Sequence, residues 1–190
     1  MPKLTQVKET KRGRYALFFD GEFAFSLDED TFAMAGLHTG DELEEWQIHD
    51  LQTKSDTRKA VDKAMDLLAL RDHAAGELYQ KLCRSFDPHS AAAAVAKMQE
   101  LNLLDDAGFA RRRAAELLRK RKSRRAILDD LHAKGIDRGT AAEAVEALFA
   151  QSEEDEEENP ELANARALVE RHYAAKLAQG KWQQVAAALA

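Results

Sequence analysis

The first part of the chain carries the pattern of a β-hairpin. In RYALFFDGEFAFSL, an Asp20-Gly21 pair, which favours a tight turn, lies between two apolar stretches. After the turn, Phe23, Phe25 and Leu27 alternate with polar or small residues, so this strand is expected to bury one face. Because a hairpin alone is only marginally stable in water, we expect it to pack against the rest of the chain.

A short helix is predicted directly after the hairpin. In LDEDTFAMAGL, Asp28 or Asp30 is placed to accept hydrogen bonds from the first backbone N–H groups of the helix, and Gly36 is placed to end it. A loop and a short apolar stretch around Trp46 and Ile48 are expected to follow.

Three helices are predicted between Thr57 and Leu104. Asp87-Pro88 marks the start of the third helix, because Asp caps free N–H groups and Pro fits the first helical position. Apolar residues recur every three or four positions, as on one side of a helix. They are Val61, Ala64, Met65 and Leu68 in the first helix, Leu78 and Leu82 in the second, and Val95, Met98 and Leu101 in the third.

The same three-helix pattern recurs along the chain. Leu78 and Leu82 match Ile127 and Leu131 at an offset of 49 residues, and four further pairs match at an offset of 50. These pairs are Phe86 with Ile136, Asp87 with Asp137, Val95 with Val145, and Met98 with Leu148. A third copy begins at Pro160, with Val185 and Leu189 at the positions of Ile127 and Leu131. A repeat of this period predicts stacked helical units.

The sequence therefore predicts a mainly α fold of tandem three-helix repeats with a small N-terminal β-hairpin segment. The expected divisions are an N-terminal extension (residues 1–56), a first repeat (57–104), a second repeat (105–150), an acidic linker (151–159) and an incomplete third repeat (160–190). The linker holds six consecutive acidic residues, Glu153 to Glu158, which repel one another. We interpret it as a solvated segment; the alternative is an internal competitor for a basic helix.

The composition limits the class of protein. The single cysteine, Cys83, excludes an internal disulfide, and a reducing cytoplasm is the expected location. No apolar run is long enough to cross a bilayer, and the polar N-terminus lacks the apolar core of a signal peptide. Cys83 is expected to be a small buried hydrophobe, and Trp46 and Trp182 to be core or docking residues.

Positive charge is concentrated in one segment of a chain whose net charge is -6. Nine basic residues lie between positions 111 and 125: Arg111, Arg112, Arg113, Arg119, Lys120, Arg121, Lys122, Arg124 and Arg125. Inside this window only Glu116 opposes them. On a helical wheel, the apolar face holds Ala110, Ala114, Leu117 and Leu118; the opposite side holds Arg111, Arg112, Arg119 and Lys122; and one flank holds Arg113 and Lys120.

Two interpretations of this cluster are open. Like charges repel one another, and structural charges on helices usually occur as pairs of opposite sign. We therefore favour a binding surface for a nucleic-acid backbone or an acidic protein surface, to which arginine forks are well suited. The alternative is a solvated basic face without a partner.

The sequence offers little for catalysis. Asp105 and Asp106 precede a helix, where carboxylates cap N–H groups, and Asp129 and Asp130 are interpreted as ordinary surface acids. Six histidines are scattered without the spacing of a zinc site, and no phosphate-binding glycine loop or nucleophile motif is present. We predict a protein that is not an enzyme and that uses no metal, cofactor or small-molecule substrate.

Three segments resemble the signature segments of RecX proteins, the bacterial regulators of the recombinase RecA. They are RDHAAGELYQKL, LNLLDDAGFARRRAAELL and AILDDLHAKGI, and the spacing of LDD-x-x-FA from KGI is specific. The resemblance covers residues 57 to about 150 well and continues weakly through the third repeat. The N-terminal hairpin also resembles the N-terminal extension of many RecX proteins.

This resemblance implies a curved, elongated array of three-helix repeats that binds in the groove of the RecA filament on single-stranded DNA. It also implies that single-stranded DNA is contacted either directly or within the filament. It implies a negative regulator of RecA in homologous recombination, DNA repair and the SOS response, which inhibits ATP hydrolysis, strand exchange and coprotease activity. The nine basic residues would then face the DNA backbone or acidic patches of the recombinase. Two alternatives are a stand-alone DNA-binding protein of the helix-turn-helix type and a structural helical scaffold.

Overall fold

A computed structural model describes residues 1–155 and 160–189 of the chain. The chain divides into two compact units, Met1–Leu104 and Asp105–Ala190. Most of the described residues are helical, and a small antiparallel sheet lies at the N-terminus of the first unit. The predicted mainly α fold with an N-terminal β segment is confirmed.

The sheet has three strands in the order β1-β2-β3: β1 (Leu4–Glu9), β2 (Arg14–Phe19) and β3 (Glu22–Asp28). The predicted hairpin is β2–β3, and its turn residues Asp20 and Gly21 have the positive φ angles, 50° and 89°, that such tight turns require. Strand β1 was not predicted, because its sequence LTQVKE contains only two apolar residues, Leu4 and Val7.

A bulge in β3 corrects the predicted orientation of Phe23. Leu17 pairs with Phe25 but Phe18 pairs with Phe23, so Ala24 is an extra residue on β3. An extra residue reverses the alternation of side chains beyond it. Phe25 is therefore buried as predicted, whereas Phe23 is 60% exposed.

Helix α1 (Glu29–Ala35) has the predicted ends. The Asp28 side chain accepts a hydrogen bond from the backbone N–H of Thr31, and Gly36 ends the helix in the left-handed conformation with φ 59°. The predicted loop spans residues 37–44, but the apolar stretch around Trp46 and Ile48 is not separate from the helix expected after it.

Those two residues belong to helix α2 (Glu45–Leu70), which begins well before Thr57. At its start, the backbone N–H of Glu44 donates to Oε1 of Gln47 at 2.9 Å. This reciprocal side of a capping box was missed because a glutamate is an unusual residue at that position.

The sheet packs on α2, as expected for a hairpin that needs support. Leu51 of α2 joins a buried apolar cluster with residues of the sheet: Leu4, Leu17, Phe19, Phe25, Leu27 and Leu43. A polar link lies beside this cluster. The fully buried hydroxyl of Ser55 donates to the backbone carbonyl of Ser26. Nη2 of Arg14 donates to the Ser55 hydroxyl oxygen at 3.1 Å and to the Ser26 carbonyl oxygen at 2.8 Å.

Helices α3 (Ala75–Leu82) and α4 (Pro88–Glu100) complete the first unit. Asp87 caps α4 as predicted, accepting hydrogen bonds from the backbone N–H groups of His89 and Ser90. The three helices enclose a core in which alanines allow close approach of the backbones: Ala60, Ala64, Leu78, Leu82, Ala91, Ala94, Val95 and Met98.

The second unit contains α5 (Asp106–Arg119), α6 (Arg124–Ala133), α7 (Arg138–Asp155), α8 (Pro160–Ala178) and α9 (Trp182–Leu189). Its buried apolar residues include Ala110, Ala114, Leu117, Ile127, Leu131, Ile136, Val145, Phe149 and Val185. Phe149, rather than the predicted Leu148, is the deeply buried residue of that turn. Of the predicted acidic linker, the part up to Asp155 continues α7, and residues 156–159 lie outside the described residues.

Replacing Ser55 by alanine is expected to lower the free energy of unfolding by about 1–3 kcal/mol, because the partly buried Arg14 and the Ser26 carbonyl each lose a hydrogen-bond partner. Chemical denaturation followed by circular dichroism measures the change. Thr53→Ala is the matched control, since the exposed Thr53 hydroxyl bonds only to its own helix at His49, and should change stability by less than about 0.5 kcal/mol. Equal losses in the two variants would contradict the link.

Candidate partner-binding surface

Helix α5 presents its basic residues in the way that the helical wheel predicts. Ala110, Ala114 and Leu117 are buried, and Leu118 is partly buried. Arg111, Arg112 and Arg119 are exposed on the other side of the helix. The buried apolar face therefore fixes which way the cations of α5 point.

Arg113 differs from the other basic residues, because its guanidinium group joins α5 to α6. Its Nε donates to Oδ2 of Asp130 at 2.8 Å and its Nη2 donates to Oδ1 at 2.9 Å, the two-pronged geometry that suits arginine and a carboxylate. Its Nη1 donates to Oε2 of Glu116 at 2.9 Å. The interpretation of Asp130 as an ordinary surface acid is therefore wrong.

These contacts shift the acidity of all three groups. The hydrogen bonds from Arg113 hold the pKa of the Asp130 carboxyl below its usual value of 3.8, despite the opposing effect of burial. Hydrogen bonds from Lys120 and then Arg113 lower the pKa of Glu116. The hydrogen bond to Asp130 in turn raises the pKa of Arg113. All three groups are ionised at neutral pH, so this is a structural charge network.

Two further members of the predicted cluster also have contacts within the protein. Nζ of Lys120 donates to Oε1 of Glu116 at 2.5 Å. The guanidinium carbon of Arg124 lies 4.7 Å from the centre of the Phe149 ring, which places its cation over the ring face. Arg113 and Arg124 thus contribute to the fold of this unit, whereas the exposed pair of Lys120 with Glu116 contributes little to stability.

The other six cations are exposed, and together they form what we call the basic surface: Arg111, Arg112, Arg119, Arg121, Lys122 and Arg125. Three of them come from α5, two from the turn that follows, and Arg125 from the first turn of α6. Because Arg113 and Asp130 hold α5 to α6, the structure brings both helices and their turn to one region. The sequence alone does not separate the three cations with internal contacts from the six of the basic surface, because Asp130 lies 17 residues beyond Arg113.

The remaining candidates for chemistry have structural surroundings. Asp105 caps α5, accepting a hydrogen bond from the N–H of Gly108 at 2.8 Å, as predicted. Cys83 is partly buried against the core of the first unit. Trp46 and Trp182 are 65% and 66% exposed, so neither is a core residue, and a docking role stays a prediction. Within the described ranges, no group of three or more His, Cys, Asp and Glu residues could hold a metal ion.

The sequence also gave no signal for the buried histidine of the first unit. His73 lies between the backbone carbonyl of Arg71, 2.9 Å from Nδ1, and Nζ of Lys81, 2.9 Å from Nε2. Burial, and then the positive charges of Arg71 and Lys81, lower the pKa of His73. A neutral imidazole that accepts from Lys81 and donates to the carbonyl fits these contacts. Glu77 offsets the nearby charge by its two-pronged pair with Arg71.

The structure also bears on membrane insertion. No helix in residues 1–155 or 160–189 combines the length and the apolar character that a bilayer-spanning segment needs.

Replacing Arg113 by alanine is expected to destabilise the second unit by about 1–3 kcal/mol at neutral pH, because two carboxylates lose charged hydrogen bonds. Thermal and chemical denaturation measure this loss. Arg111→Ala removes an exposed arginine from the same helix and should change stability by less than about 0.5 kcal/mol. A similar loss in both variants would argue against a special role for Arg113.

The same ion pair predicts a dependence on pH. The folded state lowers the pKa of Asp130, so its stabilising contribution is complete above the pKa of the unfolded carboxyl and is lost as the pH falls through the lower folded value. The stability difference between the wild type and Asp130→Asn should be constant near neutrality and shrink below about pH 4. Denaturation curves across this range test it; a difference that persists in acid would point to packing instead.

The comparisons with known proteins agree with this architecture. A family model described as the second three-helix domain of RecX matches residues 105–145, the part that holds the basic surface. The regulatory protein RecX of Lactobacillus gasseri is 30% identical over 188 residues, which span 98% of this chain and 68% of that protein. The regulatory protein RecX of Caldanaerobacter subterraneus subsp. tengcongensis is 27% identical over 151 residues, which span 79% of this chain and 77% of that protein.

A solved structure shows the same fold. The crystal structure of a regulatory protein RecX superposes with a TM-score of 0.66, covering 97% of this chain and 90% of that one at 21% identity. The sheet, the repeated helices and the relatedness along almost the whole sequence lead to one conclusion: the chain belongs to the RecX family.

Proposed function

We propose that this protein is a negative regulator of a RecA recombinase. It binds in the groove of the RecA filament on single-stranded DNA and inhibits ATP hydrolysis, strand exchange and coprotease activity. The protein acts in the cytoplasm by binding and catalyses no reaction itself. The observation that carries this proposal is the basic surface, which the Arg113–Asp130 pair fixes in the family-matched part of an otherwise acidic chain.

The distribution of charge supports a polyanionic target. Residues 105–150 hold 11 basic and 8 acidic side chains, whereas residues 1–56 hold 6 basic and 12 acidic ones. Salt screens charges beyond about 8–10 Å, so a partner responds to the local surface and not to the net charge. The basic surface therefore attracts a polyanion although the net charge of the chain is negative.

The construction from two linked units also suits a filament. A filament repeats its binding surface at every protomer, so one chain can contact neighbouring protomers with different parts. Once the first unit is bound, the second binds at the high effective concentration that a short covalent connection provides. Contacts that are individually weak then give strong inhibition at low ratios of regulator to recombinase.

The test is the ATPase rate of RecA on single-stranded DNA, titrated with three forms of this protein. The wild type should inhibit at substoichiometric amounts. Arg119→Glu/Arg125→Glu should inhibit about tenfold less well or worse, because it reverses two charges of the basic surface. The matched control, Lys11→Glu/Arg12→Glu, makes the same change in net charge at two exposed residues between β1 and β2 and should inhibit as well as the wild type.

The possible results separate the parts of the proposal. No inhibition by the wild type would refute the regulatory function. Equal inhibition by all three forms would keep the regulatory function and remove the basic surface from the interface. Tight binding to duplex DNA without recombinase would favour the stand-alone DNA-binding alternative.

A further inference from the structure

The turn between α5 and α6 has an unusual backbone position. Arg121 has φ 58°, in the left-handed region, where a side chain crowds the backbone and glycine is favoured. The backbone N–H of Arg121 donates to the carbonyl of Leu118 at 2.7 Å, and that of Lys122 donates to the carbonyl of Leu117 at 3.1 Å. This pair of bonds is the Schellman motif that ends many helices.

The same motif ends three other helices of the described chain, so the residue at the left-handed position can be compared. The motif at the end of α6 has Gly135, with φ 79°, and that at the end of α8 has Gly180, with φ 71°. The motif at the end of α4 has Asn102, with φ 53°. Glycine and asparagine are the residues that tolerate this conformation. At the end of α5 this position is taken by Arg121. Arginine lacks the tolerance of glycine and asparagine for the left-handed conformation, so the motif is less stable there.

Helix electrostatics does not account for Arg121. Cations near the C-terminus of a helix are favoured by its dipole, which explains Arg119 and Lys120. A cation at either of those positions supplies this effect without an unfavourable backbone. Moreover, the exposed Arg125 lies in the first turn of α6, where no acidic residue is present and positive charge opposes the dipole. Two independent destabilising features, the left-handed backbone of Arg121 and the positive charge at the start of α6, thus lie in one short segment.

The chemistry of the turn identifies the kind of ligand. Residues 119–125 read RKRKSRR, without one apolar or aromatic residue. Interfaces between proteins depend on buried apolar or aromatic anchors at their centres, and binding by base stacking needs aromatic rings. The phosphate groups of a nucleic-acid strand require only cations and hydrogen-bond donors.

We propose that the α5–α6 turn is a contact site for the phosphate backbone of single-stranded DNA, and that Arg121 is a direct phosphate contact kept there against the stability of the fold. Arg119, Lys122 and Arg125 contribute the neighbouring charges. The site takes the strand without regard to base sequence. It rests on the function proposed above, because the DNA is that of the recombinase filament, but its DNA-binding test contains no recombinase.

The experiment measures stability and DNA binding on the same variants. Arg121→Gly and Arg121→Asn each relieve the crowded backbone and remove the charge. Both should raise the melting temperature by a few degrees and weaken binding of a fluorescein-labelled oligo(dT) by about three- to tenfold. The slope of the logarithm of affinity against the logarithm of salt concentration should become shallower by about 0.7, the effect of one phosphate contact on a single strand.

Asn102→Gly is the matched control, since it makes the equivalent change in the same motif of the first unit. It should leave the affinity for oligo(dT) and the salt slope unchanged. Agreement between the Gly and Asn variants at position 121 shows that the lost side chain, and not a more flexible turn, weakens binding.

Several results would overturn the assignment. One is a higher melting temperature in Arg121→Gly with unchanged affinity and salt slope, and another is a lower melting temperature, which would make Arg121 a stabilising residue. A wild type that fails to bind oligo(dT) at low salt would also overturn it. Weakened binding to RecA protein alone, with oligo(dT) binding intact, would assign the turn to an acidic protein surface. Failure of the proposed regulatory function would appear in the ATPase assay, and failure of the Arg121 assignment would appear in the oligo(dT) assay. The two failures are therefore distinguishable.

Discussion

The ion pair between Arg113 and Asp130 is the contact that sets how α5 lies against α6 in the second unit. It spans two helices that are joined by a short, highly charged turn, and such a turn has no apolar residue with which to hold itself in place. The buried faces of α5 and α6 bring the helices together, and the guanidinium fork restricts how one can rotate against the other. A single arginine of the cluster thus organises the others. Its own charge is satisfied internally, whereas the side chains of the basic surface are exposed to solvent.

This arrangement shows that the number of cations in a segment is a poor measure of its binding capacity. Arg113, Lys120 and Arg124 have contacts with Glu116, Asp130 or Phe149, so their charges are partly satisfied within the protein. Exposed ion pairs contribute little to stability, but a pair that is partly buried and bonded at both oxygens contributes more. Fewer cations are therefore available to a polyanion than the sequence suggests. The contact between α5 and α6 limits the directions in which they can point.

The sequence predicted the features that depend on a few neighbouring residues. The Asp20-Gly21 turn and the caps at Asp28, Asp87 and Asp105 are local, because each requires only a residue type at a fixed distance from a helix or strand end. The recurring apolar spacing likewise revealed the helical units, because burial imposes it on each of them separately.

The features that the sequence did not predict depend on residues far apart in the chain. Strand β1 exists because β2 offers an edge to pair with, and its own pattern is too polar to indicate a strand. The bulge at Ala24 changes the exposure of Phe23 without any local signal. The partnership of Arg113 with Asp130 requires knowledge of how α5 and α6 cross. In each case the missing information is tertiary.

Helix α2 has a consequence for how the N-terminal segment relates to the first repeat. Its 26 residues run without interruption from the helix face that carries Leu51 and Ser55 under the sheet to the face that carries Ala60 and Ala64 in the three-helix core. Cutting the chain at Thr57 would divide one helix and expose both cores at once. Deleting the sheet would therefore expose the apolar face of α2 that it covers. We expect the sheet and helices α2, α3 and α4 to unfold as one cooperative unit, with amide hydrogens in the two halves of α2 exchanging with solvent together.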